Sequence, residues 1–517
     1  MTFESILLAA GKGTRMKSQT SKVLFPLAGR RLLFFAARAA IDAGTQRVIV
    51  VCRAEDREAV DAYLVAEFGR ERVVCVVQEQ ARGTGDAAKV GLAACRSEQL
   101  CILCADTPLL EASDVLALVD RKKEGGAALL VGSCLLDDPT GYGRILRDSN
   151  GAVRAIREHR DATDAERAIR EVNAGLYFGD TNLVRSALGE LTPNNDQGEY
   201  YLTDVVELLG KQRPVEAIVG RAEAMLGVND RVQLEAVESA LLGKIRDRHR
   251  LSGVTVKGDA RIDDTVEIGC ESVIASGVQL RGKTRIGERT VVDTGCVLVD
   301  ADIGNDTEVL PYTVITESEV GNGAKLGPFS HLRPASVIED QAHIGNFVET
   351  KKTRIRRGAK ANHLSYLGDG DVGEKANVGA GTIFCNYDGY RKHKTTIGAG
   401  AFIGSDSQIV APVVIGNGAY VATGTTVTRD VPDDALAIGR IPQENKAGYA
   451  ARLRGRLAAL AGRSLNPVFR NFVSQPTRRT QRPSREKRRG PASVARKAAW
   501  ASVRREKSGV GLRPGNE

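Results

Sequence analysis

The chain has 517 residues and 55.4 kDa, of which 42% are apolar and 26% charged, enough to bury several cores and remain soluble. That balance excludes a wholly disordered or collagen-like chain, and no apolar run approaches the roughly 18 residues that a membrane span requires. The net charge of +9 belongs to the tail: from Ala461 onward 15 basic residues face three acids, whereas residues 1–460 hold 58 basic and 61 acidic groups.

Met1–Ser5 carries no basic signal region, which predicts a cytoplasmic protein. The next two hundred residues alternate between short β-branched runs and helically spaced stretches. The runs are Ser5–Ala9, Arg47–Val51, Val73–Gln78, Leu100–Cys104 and Ala128–Cys134; Leu32–Ala43 and Thr84–Ala94 have helical spacing. This predicts an α/β domain over residues 1–228, a Rossmann-like, mostly parallel sheet whose ligands bind beyond the carboxyl ends of the strands. The segment Leu8-Ala9-Ala10-Gly11-Lys12-Gly13-Thr14-Arg15-Met16 follows the first strand. Its small residues let backbone N–H groups approach a phosphate, and Lys12 and Arg15 add charge. It is neither a P-loop nor a dinucleotide fingerprint, because both spacings differ. Lys22 offers a second cation, Gln78 and Gly83-Thr84 follow a strand and suit a base edge, and Asp106 ends another strand. An isolated aspartate there is more often a helix cap; beside a triphosphate it becomes a magnesium ligand, since Mg²⁺ takes a few protein oxygens plus phosphates.

Residues 229–251 place Val232, Leu234, Val237, Leu241, Leu242 and Ile245 near one side of a helical linker. After it the period becomes six. Aliphatic residues recur from Val256 through Ile262, Ile268 and Ile274 to Leu298, resume at Ile303 and Val320, and continue through Ile397–Val427. Neither a helix nor a hairpin has that period; a parallel β-helix does, three units making one triangular coil. The repeat domain is expected over residues 252–460. Two interruptions, Thr350–Asp371 and Cys385–Thr396, are expected to leave the stack as loops, the second because thirteen residues separate Phe384 from Ile397 where two repeats take twelve. The remaining residues, 461–517, rich in Arg, Pro and Ser, are expected to be disordered, and any polyanion contact would be confined to them. The nine cysteines lack paired CxxC spacing and fit reduced thiols.

Together these motifs resemble the sugar-phosphate nucleotidyltransferases. With the hexapeptide solenoid behind them, residues 3–450 resemble the bacterial family of bifunctional N-acetylglucosamine-1-phosphate uridyltransferases/glucosamine-1-phosphate acetyltransferases. The resemblance rests on Leu8–Met16, Gly141-Tyr142-Gly143-Arg144-Ile145, Glu158-His159-Arg160-Asp161-Ala162, Gly198-Glu199-Tyr200-Tyr201-Leu202-Thr203-Asp204 and Gly227-Val228-Asn229-Asp230. In the solenoid it rests on Asn362-His363, Asn386-Tyr387 and Val427–Val431.

The resemblance implies a left-handed β-helix, a homotrimer with active sites shared between neighbouring chains, and Mg²⁺ with UTP and acetyl-CoA as co-substrates. Leu8, Ala9, Ala10, Gly11, Lys22, Gln78, Gly83, Thr84, Cys104, Ala105 and Asp106 would hold the uridine nucleotide. Gly143, Glu158 and Asn173 would hold the acetamido sugar, and Asp106 and Asn229 the metal. His363 would be the acetyl-transfer base, Arg333 and Lys351 would bind the sugar phosphate, and Tyr366 and Asn377 the sugar. Ala380, Asn386, Tyr387, Ser405, Thr423 and Arg440 would line the acetyl-CoA groove. Ala105 stands where relatives commonly have glycine, Thr423 where alanine is usual and Gly439 where serine is. Two alternatives are a single-activity nucleotidyltransferase with a structural solenoid and a non-catalytic regulatory subunit. The first does not need His363, Lys351 and Asn386-Tyr387; the second does not need Asp106, Lys22 and Asn229.

Overall fold

The computed structural model describes residues 1–225 and 227–461. The chain divides into two units, Met1–Arg440 and a second beginning at Ile441. In the first unit the β-branched runs become the interior of a nine-stranded sheet: β1 (Phe3–Leu8), β2 (Val48–Cys52), β3 (Val73–Val77), β4 (Gln99–Cys104), β5 (Leu129–Leu135), β6 (Arg144–Arg147), β7 (Val153–Arg157), β8 (Glu171–Asp180) and β9 (Val215–Val219). The order is β9-β5-β8-β4-β1-β2-β3. Pairing is parallel except around β8, which runs antiparallel to β4 and β5 and carries the β6–β7 hairpin on its end. Strand order reverses beside β1, flanked by β2 and β4, so a crevice opens past Leu8 and Cys104. Every residue of β2 is buried because helices cover both faces, which is why these strands read as unbroken apolar runs.

The linker helix spans Arg231–Leu251, its first turn capped by the Asp230 carboxylate accepting from Gln233 N. Val237, Leu241 and Ile245 are buried against the neck between sheet and solenoid, but Val232 is 80% exposed. One carboxylate ties this neck together. Asp264, in the first coil, accepts from Arg30 Nε (3.2 Å), Arg38 Nη1 (2.9 Å) and Arg248 Nη1 (3.0 Å), and its side chain is 2% exposed. Burial pushes its pKa up, but the guanidinium charges of Arg38 and Arg248 outweigh that and hold it below the ordinary aspartate value. Its contribution is therefore complete above the ordinary aspartate pKa and is lost as pH falls through the depressed one. Asp264→Ala leaves three guanidinium groups around an empty site and is expected to cost about 3–5 kcal/mol, read as an earlier first transition in denaturant unfolding.

From Thr255 to Ala437 the chain winds as a parallel β-helix. Successive coils are offset by 18 residues (Thr255 to Val273) or 17 (Val291 to Glu308). Of the period-six residues from Val256 to Val427, all are buried except Ile268, which is half-buried. Small hydroxyl residues also point inward and bond to the next coil: Thr290 Oγ1 donates to Gly304 O (2.7 Å) and Thr307 Oγ1 to Gly321 O (2.9 Å). Such pairing satisfies polar atoms that burial would otherwise strand.

The first expected loop does not exist. Thr350–Asp371 stays in the stack, and His343–Lys351 pairs in parallel with Lys360–Gly368, two nine-residue strands that turn a corner of the prism without a break. The repeat there runs Ile344, Thr350, Ile355, Ala361, Leu367, Val372; Thr350 and Ala361 fill inward positions with small side chains, which hides the period. The second excursion is larger than twelve-residue counting implies. Phe384 pairs with Ile409 and Ile397 with Ile415, so thirteen residues span what Ile409 to Ile415 covers in six. A seven-residue addition leaves the prism, pinned at its base by the Tyr387–Lys392 bridge.

The solenoid ends at Leu436–Ala437 rather than near residue 460. In the second unit Tyr449–Leu460 is an exposed helix. The expected disorder at 461–517 lies outside the described residues apart from Ala461. All nine cysteines are free thiols. Among the described residues no helix is long and apolar enough to cross a membrane.

Candidate active sites

The crevice past β1 and β4 is a cleft of about 470 Å³. Leu8, Ala9, Ala10, Gly11, Lys22, Gln78, Gly83, Thr84, Cys104, Asp106 and Asn229 all line it, and Lys12 and Arg15 stand at the glycine loop. Gly83 adopts φ +108°, and a Cβ there would lie 2.5 Å from Tyr200 O, so only glycine lets this loop meet the Glu199–Tyr201 segment. Gln78 Nε2 donates to Asp86 Oδ2 (2.8 Å) and Gly83 O (3.2 Å), fixing its amide at the cleft wall. Ala105 is buried behind the lining, with its N–H donating to Leu8 O. Gln197 and Glu199 also line the cleft; the motif around Glu199 was visible in the sequence, but nothing in its spacing gave it a place.

Asp106 and Asn229 meet across a backbone contact, Val228 N donating to Asp106 O (2.8 Å). Lys22 Nζ donates to Asp106 Oδ2, while a Cβ at Gly227 would come within 3.3 Å of Oδ1. The glycine thus leaves the second carboxylate oxygen open in a cleft that Asn229 also lines, the Asn229 Nδ2 donating to Gly227 O (3.4 Å). Among the described residues there is no group of three or more His, Cys, Asp or Glu able to hold a metal. One carboxylate and one amide, completed by phosphate oxygens, match what Mg²⁺ accepts. Burial pushes the Cys104 thiol up to about 12, so it serves this wall as a neutral, apolar group.

Gly143, Glu158 and Asn173 stand on the β6–β7–β8 side, outside the residues that line the cleft. Asn173 N donates to Gly143 O (2.8 Å), and its Nδ2 to Tyr177 Oη (2.8 Å). Thr203 Oγ1 donates to Glu158 Oε1 (3.2 Å). Burial raises the Glu158 pKa, and Asp161 and Asp204 add to it, against the Thr203 hydrogen bond and the Arg144 charge. If its carboxylate accepts a sugar hydroxyl, falling pH should remove that acceptor above the ordinary glutamate range. The expected result is an acid limb in uridylyl-transfer kcat/KM that Glu158→Gln flattens while lowering the plateau about 10–100-fold, measured as a pH profile with saturating UTP.

In the solenoid, the corner turned by the two long strands carries a row of residues one coil apart. Asn346 pairs with His363. Backbone bonds from Gly381 to Leu364, Asp406 to Ala380 and Gly424 to Ser405 continue the row through Ala380, Ser405 and Thr423. At roughly 4.8 Å per coil, His363 to Thr423 spans about 14 Å along one edge. The imidazole is exposed, and its Nδ1 is 2.8 Å from Asn346 Oδ1. With the amide oxygen as acceptor, Nδ1 carries the proton and Nε2 presents a lone pair outward. Asn346 was not singled out in the sequence; its signal is the Gly345-Asn346 step one coil before Asn362-His363.

Arg333 and Lys351 occupy adjacent coils of the following face, Arg333 N donating to Thr350 O (2.9 Å), and Arg333 Nη1 pairs with Glu349 Oε1 (2.6 Å). Tyr366 sits over Glu349, and its hydroxyl converges with Asn386 Nδ2 above Gly368. Asn386 is buried and donates to Asp369 Oδ2 (2.6 Å). Tyr387 is exposed on the excursion. Cys385 is half-buried, with its thiol toward Ile383 O (3.9 Å). Asn377 lies on the preceding face, between Lys360 and Phe402. Within one chain, therefore, the residues expected for the amino sugar stand on two faces of the prism. Arg440 Nη1 donates to Thr423 O (3.1 Å) at the end of the row.

Residues 5–174 match the MobA-like NTP transferase domain family, and residues 394–429 match the bacterial transferase hexapeptide family of six repeats. A protein of Sorangium cellulosum called bifunctional protein GlmU is 55% identical over 461 residues, 88% of this chain and 97% of the relative. The chain belongs to the bifunctional GlmU family. Proteins of the same name from Anaeromyxobacter dehalogenans strain 2CP-C and Trichlorobacter lovleyi are 47% and 43% identical, covering 87% of this chain and 92% and 98% of their own lengths. The family membership joins the two sites in one enzyme, with nucleotide and acetyl-CoA substrates.

Proposed function

We propose that the chain makes UDP-N-acetylglucosamine in two steps at two separate sites. Acetyl-CoA N-acetylates glucosamine-1-phosphate on the solenoid; the product then takes a uridylyl group from UTP at the sheet, releasing pyrophosphate. The observation that carries this reading is the presence in one chain of a cleft of about 470 Å³ lined by Lys22, Asp106 and Asn229 and of His363 oriented by Asn346 on an unbroken corner of the prism.

In the acetyl step the amine attacks the thioester carbonyl, His363 Nε2 takes the amine's proton, and the carbon–sulfur bond breaks as the imidazolium returns that proton to the departing sulfur, releasing CoA as the thiol; Arg333 and Lys351 hold the sugar phosphate. In the uridylyl step the sugar phosphate attacks the α-phosphorus in line. Lys22 and the N–H groups of Leu8–Gly11 hold the nucleotide phosphates, Gln78 and Gly83 read the base, and Gly143, Glu158 and Asn173 orient the sugar. Mg²⁺, held by Asp106 and Asn229, would supply charge neutralisation on the phosphates.

The acetyl site is completed by a second chain in a homotrimer. Support comes from the corner itself. Tyr312, Phe329, Phe347 and Leu364 occupy its left-handed position in four successive coils, where Gly277, Gly295, Gly381 and Gly424 sit in others. The rings of Tyr312, Phe329 and Phe347 stack at 5.3 and 5.6 Å, and all four side chains are about half exposed. A column of aromatic rings in water beside His363 is the signature of a protein contact. No membrane or nucleic-acid partner is needed in the body, and the reaction suits the cytoplasm. Incubation of the protein with UTP, Mg²⁺ and N-acetylglucosamine-1-phosphate, and separately with acetyl-CoA and glucosamine-1-phosphate, tests both halves; absence of either product overturns that half.

A further inference from the structure

Arg144 is among the largest fully buried side chains, 1% exposed; Asp138 and Glu158 are near enough to favour its charge, but none of its hydrogen-bond partners among the described residues is a carboxylate. A guanidinium so placed is costly unless its donors are used. Its partners are neutral. Nη1 donates to Tyr142 O, and Nη2 lies 3.2 Å from His159 Nδ1 and 3.3 Å from Arg167 O; Nε is buried with no partner. As guanidinium donates only, His159 Nδ1 must accept.

Those partners are not scattered. Tyr142 and His159 are the chain neighbours of Gly143 and Glu158, at the open ends of β6 and β7. Arg144 itself pairs with Arg157 on one side and with Val172, next to Asn173, on the other. One side chain thus fastens the Tyr142 carbonyl beside Gly143 and the His159 imidazole beside Glu158, and its strand adjoins Asn173. A purely structural position of this size would be filled at lower cost by a large apolar residue.

We propose that Arg144 is a positioning residue for the acetamido-sugar side of the uridylyl-transfer site, holding Gly143 and Glu158 in register with Asn173. It is buried and stands outside the residues that line the nucleotide cleft. The inference rests on the sugar-site reading given above, and the two can fail separately. Its planar fork addresses two directions at once, which a lysine ammonium cannot reproduce.

The test uses the full-length enzyme and steady-state kinetics of both reactions for Arg144→Lys, Arg144→Met and His159→Phe. The expected result for Arg144→Met is a rise of about 10–100-fold in KM for N-acetylglucosamine-1-phosphate, with KM for UTP within about threefold and acetyl transfer unchanged. Arg144→Lys should recover only part of that loss, and His159→Phe, which removes one acceptor, should give a smaller rise in the same constant. Equal rises in both uridylyl-transfer KM values, or none in the sugar KM, overturn the inference. Should Arg144→Met fail to accumulate as soluble protein, the sugar-against-UTP split in Arg144→Lys and His159→Phe decides alone. If Glu158→Gln leaves the sugar KM untouched while Arg144→Lys raises it, the sugar-site reading fails and the positioning role must be assigned elsewhere.

Discussion

His363→Ala is expected to lower acetyl transfer about 10²–10⁴-fold and leave uridylyl transfer unchanged, while Asp106→Ala does the reverse. The asymmetry follows from placement. His363 stands on an exposed corner of the solenoid with its Nδ1 committed to Asn346, so removing it deletes the one oriented base of that row without touching the sheet. Asp106 lies past the end of β4, paired with Lys22 and joined by its backbone to the Asn229 segment. Its removal frees Lys22 and strips the carboxylate that would hold a divalent ion among the phosphates. Asn346→Ala should reproduce a milder form of the first loss, because the imidazole stays but its tautomer is no longer fixed. Separate assays of the two products check all three variants; loss of both activities in any one of them contradicts independent sites.

The second large effect concerns the stacked rings. If the proposed homotrimer forms through these rings, Phe329→Asp with Phe347→Asp gives monomers, read by light scattering, and abolishes acetyl transfer while sparing uridylyl transfer. Both rings are about half exposed and lie outside the prism core, so a carboxylate in either position is solvated in a single chain and costs its fold little. Across an apolar contact the same two charges are desolvated without partners, which is prohibitive. On that proposal acetyl transfer should fall with assembly, because one chain presents Asn377 on one face and Tyr366 with Lys351 on the next. A monomeric variant with full acetyl transfer would show the site to be complete in one chain.

Much of this was legible in the residues because the period of six is a global signal: each aliphatic position repeats the same burial. The sheet was legible for a similar reason, its parallel strands being apolar throughout. What escaped was local. Thr350 and Ala361 satisfy an inward position by being small, so the repeat runs on silently where polar residues crowd the outward positions, and a continuous pair of strands passed for a loop. The helix Tyr449–Leu460 has no such signal, since nothing in its alanine- and arginine-rich sequence announces a change of architecture after the last coil. The roles of Asn346 and Arg144 depend on neighbours 17 and 15 residues away, distances at which spacing carries no chemistry until the coil or hairpin closes.

The seven additional residues that leave the prism between Phe384 and Ile397 return to it without altering the pairing of Phe384 with Ile409 or Ile397 with Ile415. A fold assembled turn upon turn can therefore lengthen or shorten at a vertex while every turn above and below keeps its alignment. Because Asn386 and Tyr387, assigned above to the acetyl-CoA groove, stand on this excursion, the fit to the acyl donor is open to revision by indels at one vertex with the rest of the stack left in register.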